Sequence, residues 1–83
     1  MEQQIRTLLQ EALTEYPLPD VIEADFDLID QGGVDSLGML SLASAVQKRF
    51  GVVVLDHEWS LLRSVRAIQQ FIQERCAVTP QAA

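Results

Sequence analysis

Between residues 36 and 50, apolar side chains recur at intervals of three and four and stop at a glycine, a pattern that fits a packed helix and little else. At about 100° per residue, Met39, Leu42, Ala43, Val46 and Phe50 fall on one stripe. Gly51 stands where a left-handed C-terminal residue belongs. A second stripe, Ile5, Leu8, Leu9, Ala12, Leu13 and Tyr16, predicts a helix from Met1 to about Tyr16, ended by Pro17 and Pro19. A third, Val65, Ile68, Phe71, Ile72 and Cys76, predicts a last helix capped by Ser64 and running to about Cys76. Asp56 is placed as the cap of a short turn over His57–Leu61, and Val52–Leu55 reads as an extended, buried connector with no partner strand. Asp20–Asp35 is a long connection holding six acids and no base. Val21, Ile22, Phe26, Leu28 and Ile29 are expected to pin it across the bundle, and Asp20 with Glu23 to cap a short turn within it. The fold class is therefore all-α, a four-helix bundle of three principal helices and one short one, with a long loop between the first and second. One domain is expected over 1–78, with 79–83 a fraying tail.

Composition narrows the function. The 83 residues carry a net charge of −6, with one Lys and five scattered Arg, too few for the clustered cations that bind nucleic acid. An anionic membrane surface is excluded for the same reason. The longest apolar run, Val52–Leu55, is too short to span a bilayer, and the N-terminus does not read as a signal peptide, so a cytoplasmic protein is expected. One Cys and one His make neither an internal disulfide nor a structural zinc site. With 48% hydrophobic and 22% charged residues the chain is too apolar for a disordered acidic tail. A monomer is the expectation.

The 36–50 helix has a face that a bundle core does not need. Leu37, Leu40, Ser41, Ser44 and Lys48 lie opposite the core stripe, and two leucines together beside a serine and an acidic loop point to a docking face. Before them, Asp30-Gln31-Gly32-Gly33-Val34-Asp35-Ser36-Leu37 supplies two glycines and then a helix start. First-turn N–H groups and the helix dipole would stabilise an anion on Ser36 Oγ. Asp35 or Ser36 as a plain helix cap explains the same residues. A nucleophilic serine does not: there is no G-x-S-x-G elbow, and His57 is the only histidine to serve as base. A calcium loop from Asp25 or Asp27 fails at its twelfth position, where Ser36 or Gly38 would stand in place of the bidentate Glu. His57 reads as a solvated turn residue and Trp59 as a partial lid. Arg63 and Arg66, unfavourable at a helix start, are candidates to pair with the acidic loop or a partner.

Asp35-Ser36-Leu37 opening a helix after an acidic, Gly-bearing loop resembles the carrier motif of acyl, peptidyl and aminoacyl carrier proteins. The likeness extends over nearly the whole chain, through the Arg49-Phe50-Gly51 ending and the Ser64-Val65 start of the last helix. It implies a non-catalytic carrier whose Ser36 receives 4′-phosphopantetheine from coenzyme A through a Mg²⁺-dependent phosphopantetheinyl transferase. The arm's thiol would hold cargo as a thioester, raising its effective concentration at partner active sites. By the same resemblance Asp35 would orient the transferase's metal and phosphate, and Leu37, Leu40, Ser41 and Ser44 would meet partners. Met39, Leu42, Val46 and Ile68 would shelter a short acyl chain. The implied partners are that transferase, a loading ligase or transferase, and downstream biosynthetic enzymes.

Carriers of bacterial fatty-acid synthesis bear acids along the serine-headed helix. Here that helix has none after Asp35 and carries a formal charge of +2 from Lys48 and Arg49. Charge complementarity governs encounter and partner choice, and screening at about 8 Å keeps the loop acids from acting for the helix's far end. The expectation is a dedicated specialised-metabolite pathway of polyketide or fatty-acid-like type. The Gly-Gly-Val-Asp-Ser-Leu-Gly run is also similar to aminoacyl carriers, including D-alanyl carriers, and faintly to peptidyl carriers. Outside the family, the alternative is an unmodified acidic helical adaptor.

Overall fold

In the computed structural model of the chain, which describes residues 2–78, three α-helices and one 3₁₀ helix follow one another, with no strand among the described residues. Helix α1 is Glu2–Ala12, α2 is Ser36–Phe50 and α3 is Val65–Val78, and the 3₁₀ helix Asp56–Leu62 lies between α2 and α3. The all-α bundle is thus the observed fold. α1 packs on α2 and α3, and the 3₁₀ helix packs on the same two. Ile5, Leu9, Leu28, Met39, Leu42, Val46, Leu62 and Ile68 form the centre of one apolar core. Burying each such side chain contributes about 1.5–3 kcal/mol. No polar side chain is buried among the described residues.

α1 ends about a turn before Tyr16. Its stripe is used as expected, with Ile5, Leu8, Leu9 and Leu13 buried and Ala12 and Tyr16 packed against the core. The helical ladder closes with the Leu13 N–H donating to the Leu9 carbonyl at 2.9 Å. Pro17 has no N–H to extend the ladder and keeps the residue before it out of the helical region. The chain therefore unwinds early, and the Tyr16 N–H donates to the Leu13 carbonyl in a tight turn.

The long connection carries no helix at Asp20–Glu23; it bends and turns through residues 20–32. Asp27 organises its middle: Oδ1 accepts the Ile29 and Asp30 N–H groups, each at 2.9 Å, and the backbone carbonyl accepts those of Gln31 and Gly32. This local capture of backbone donors satisfies the segment without a helix. Ile22 and Leu28 are buried and Phe26 and Ile29 half-buried, but Val21 is exposed and pins nothing. Ile22 takes the inward place beside it, and the Arg6 Nε holds the Ile22 carbonyl at 2.6 Å. Two backbone bonds tie the loop to the approach and first turn of α3, Leu28 N–H to the Arg63 carbonyl and Arg66 N–H to the Ala24 carbonyl.

Gly51 ends α2 at φ 69°, its N–H donating to the Gln47 carbonyl. Val52–Leu55 is the extended connector expected, Val52 and Val54 inward and Val53 and Leu55 outward. Asp56 is not the cap of the short helix but its first residue. The Leu55 N–H is taken instead by Glu58 Oε1 at 3.0 Å, and Glu58 is itself held by Arg75 of α3. Ser64 caps α3 as predicted, Oγ accepting the Ala67 N–H at 3.1 Å, and Val65, Ile68, Phe71 and Ile72 face the core. The inward side chain expected of Cys76 and the tail 79–83 lie outside the described residues.

Candidate attachment site at the start of helix α2

Val34, buried in the core, anchors the loop just before the site, and its N–H donates to the Leu28 carbonyl at 2.9 Å. Asp35 follows in extended conformation as the cap of α2. Its Oδ1 accepts the Gly38 N–H at 3.0 Å and its carbonyl accepts the Met39 N–H at 2.9 Å. Ser36, the first residue of α2, is exposed. Of the Asp-Ser pair, aspartate is therefore the cap, and serine stands on the surface at the positive end of the helix.

A third group completes the site from across the bundle. The Tyr16 hydroxyl donates to Asp35 Oδ1 at 2.6 Å. That bond is the main influence holding the Asp35 carboxyl below the usual carboxylate range, with the Gly38 amide next. The same bond pushes the Tyr16 phenol up. Gly38 makes the approach possible: a Cβ there would lie 2.6 Å from the Tyr16 hydroxyl and 2.7 Å from Val34 Cγ1. The sequence reading missed both residues. Tyr16 falls on the core stripe of α1, and the one signal in the sequence is a glycine in the first turn of a helix, a mark of close approach.

α2 divides its two faces as predicted. Leu37 is 71% and Leu40 44% exposed, and Ser41, Ser44 and Lys48 share that side. Met39, Leu42, Val46 and Ile68 meet in the core, each with 0% exposure. A groove of about 370 Å³ between α1 and α2 is lined instead by Leu8, Glu11, Ala12, Ala45, Lys48 and Arg49. The acidic loop is partly neutralised by the start of α3. Arg63 pairs with Asp27 at 2.9 Å and Asp30 at 3.2 Å, and Arg66 with Asp25 at 2.7 Å. The Asp30 amide, then Arg63, holds Asp27 below its ordinary range, and Asp27 raises Arg63 in return. Among the described residues no cluster of His, Cys, Asp or Glu could hold a metal, and no helix is long and apolar enough to cross a membrane.

An exposed serine thus heads a helix on a small all-α scaffold, beside two exposed leucines. Residues 3–72 match the family described as phosphopantetheine attachment site, and the chain belongs to that family. Its relatives include the anthracycline acyl carrier protein DauA of Streptomyces sp. (strain C5), 26% identical over 72 residues, 87% of this chain and 86% of that one. The anthracycline acyl carrier protein DpsG of Streptomyces peucetius matches to the same extent. An acyl carrier protein of Campylobacter hominis is 28% identical over 71 residues, 86% of this chain and 87% of its own. The protein is thus a carrier of the 4′-phosphopantetheine class. The residues present fit that group: an exposed hydroxyl and a first turn of α2 that contains no acid.

Proposed function

We propose that Ser36 carries the 4′-phosphopantetheine and that the chain presents acyl cargo to the enzymes of a dedicated polyketide-type pathway in the cytoplasm. The observation that carries this reading is the exposure of Ser36 at the first position of α2, within the span shared with the family. In the loading reaction, catalysed by a phosphopantetheinyl transferase with Mg²⁺, the Ser36 Oγ–P bond forms as the P–O bond to adenosine 3′,5′-bisphosphate breaks in coenzyme A. The serine proton leaves to a base of the transferase. When attached, the arm supplies a terminal thiol that holds cargo as a thioester. The chain's own residues present and orient. Asp35 offers its carboxylate to the transferase's metal and phosphate, while Leu37, Leu40, Ser41 and Ser44 form the surface a partner covers. Sheltering a short acyl chain requires Met39, Leu42, Val46 and Ile68 to part, since all four are fully enclosed.

Two observations favour acyl over aminoacyl cargo and a dedicated pathway over general fatty-acid synthesis. The similar proteins are acyl carriers, two of them named for anthracyclines. α2 also bears no acid to match a basic partner patch. Incubation with coenzyme A, Mg²⁺ and a promiscuous phosphopantetheinyl transferase should raise the intact mass of the wild type and leave Ser36→Ala unchanged. No gain with several transferases would instead favour an unmodified adaptor.

A further inference from the structure

We infer that Tyr16 is a positioning residue for the loading of Ser36: its hydroxyl holds the Asp35 carboxylate, and through it the first turn of α2, in one arrangement beside the serine. The inference rests on Ser36 being the attachment residue. Capping α2 needs only a local donor, and the Gly38 N–H supplies it at 3.0 Å. The second donor comes from 19 residues away, beyond the end of α1, and lands on the same oxygen at 2.6 Å. With Oδ1 engaged twice, the carboxylate cannot swing without breaking both bonds, and its second oxygen is directed by the first. The Tyr16 ring packs against the core, so ordering the hydroxyl costs little further entropy. The chain also gives up helix propensity for this contact. Any side chain at position 38 would collide with the Tyr16 hydroxyl and Cε2 and with Val34, so glycine stands in the first turn of α2.

The test is Tyr16→Phe, which keeps the ring and removes the donor. With coenzyme A, Mg²⁺ and a phosphopantetheinyl transferase, well below the melting temperature, kcat for modification should fall about 3- to 10-fold while KM for the carrier stays within about 2-fold. The loss should vanish in an Asp35→Ala background, because the tyrosine acts through that carboxylate. In the unloaded chain, hydrogen exchange at the Gly38 amide should be several-fold faster in Tyr16→Phe than in wild type. A Tyr16 that merely stabilises the fold would lower the melting temperature and leave kcat and the background dependence untouched, which overturns the inference. So would the same loss of kcat with Asp35 absent, or unchanged exchange at Gly38. A wild type that gains no mass, or a Ser36→Ala variant that still does, instead removes the attachment reading and takes this one with it.

Discussion

At Gly38 the space for a side chain is already filled, by the Tyr16 hydroxyl and ring edge on one side and Val34 on the other. Alanine there would improve intrinsic helix propensity by about 1 kcal/mol in an open helix. Here the added methyl must displace Tyr16 or Val34, and forcing atoms into a packed site typically costs about 1–3 kcal/mol. The steric term wins, so Gly38→Ala should lower stability to chemical denaturation despite its better propensity. In a Tyr16→Ala background the penalty should shrink, because the nearest obstacle has gone; an equal penalty in both backgrounds would mean Tyr16 is not what Gly38 accommodates. The exposed position of Ser36 at a helix start is legible in the sequence, because the Asp-Ser-Leu pattern is local and the exposure follows from the helix register. The Tyr16–Asp35 bond is not, because it joins residues 19 apart and no local periodicity reports such a distance. Tyr16 also falls on the α1 stripe, where its ring accounts for the whole residue and hides its hydroxyl.

The elements were read most securely where punctuation is strong. Gly51 and Ser64 each mark a helix boundary by their own backbone or side-chain chemistry, and both act as predicted. Boundaries failed where a neighbour overrides propensity. Pro17 unwinds α1 a turn early, and Glu58, drawn in by Arg75, displaces Asp56 from the capping role. Asp27 shows how a side chain shapes a segment that periodicity does not describe, one carboxylate accepting two backbone donors and pairing with Arg63. Its pH dependence follows. Asp27 titrates below its ordinary 3.8 in the folded chain, so the folded state binds fewer protons than the unfolded state around that pH. Its contribution is present above the unfolded value and is lost as pH falls through the folded value. The melting temperature should therefore drop as pH is lowered from 5 towards 2. The drop should be smaller in Asp27→Asn, which keeps an acceptor for the amides but no longer titrates. Because the Asp27 and Arg63 side chains are partly exposed, the ion pair itself contributes little and the backbone bonds dominate. Equal acid slopes in the two proteins would remove Asp27 from this account.

Taken as a whole, the molecule keeps its acids off α2. The chain is acidic overall, yet several loop acids are spent on Arg63 and Arg66, while α2 has no acid in its first turn and Lys48 and Arg49 in its last. The front of α2 beside Ser36 is consequently apolar, with Leu37 71% and Leu40 44% exposed. Such a surface gives long-range steering little to grip, and its affinity must come from side chains that lose water when the partner arrives. Removing most of a leucine from that contact forfeits about 1–2 kcal/mol, or roughly 5- to 30-fold in kcat/KM for a partner that covers it. Leu37→Ala and Leu40→Ala should show that loss with the enzyme that loads or receives cargo, while far-ultraviolet circular dichroism and melting temperature stay close to wild type. The fold tolerates both changes because the opposite face, Met39, Leu42 and Val46, supplies the packing of α2 by itself. Collapse of either variant would assign its leucine to the core, and unchanged partner kinetics would move the docking face elsewhere on the bundle.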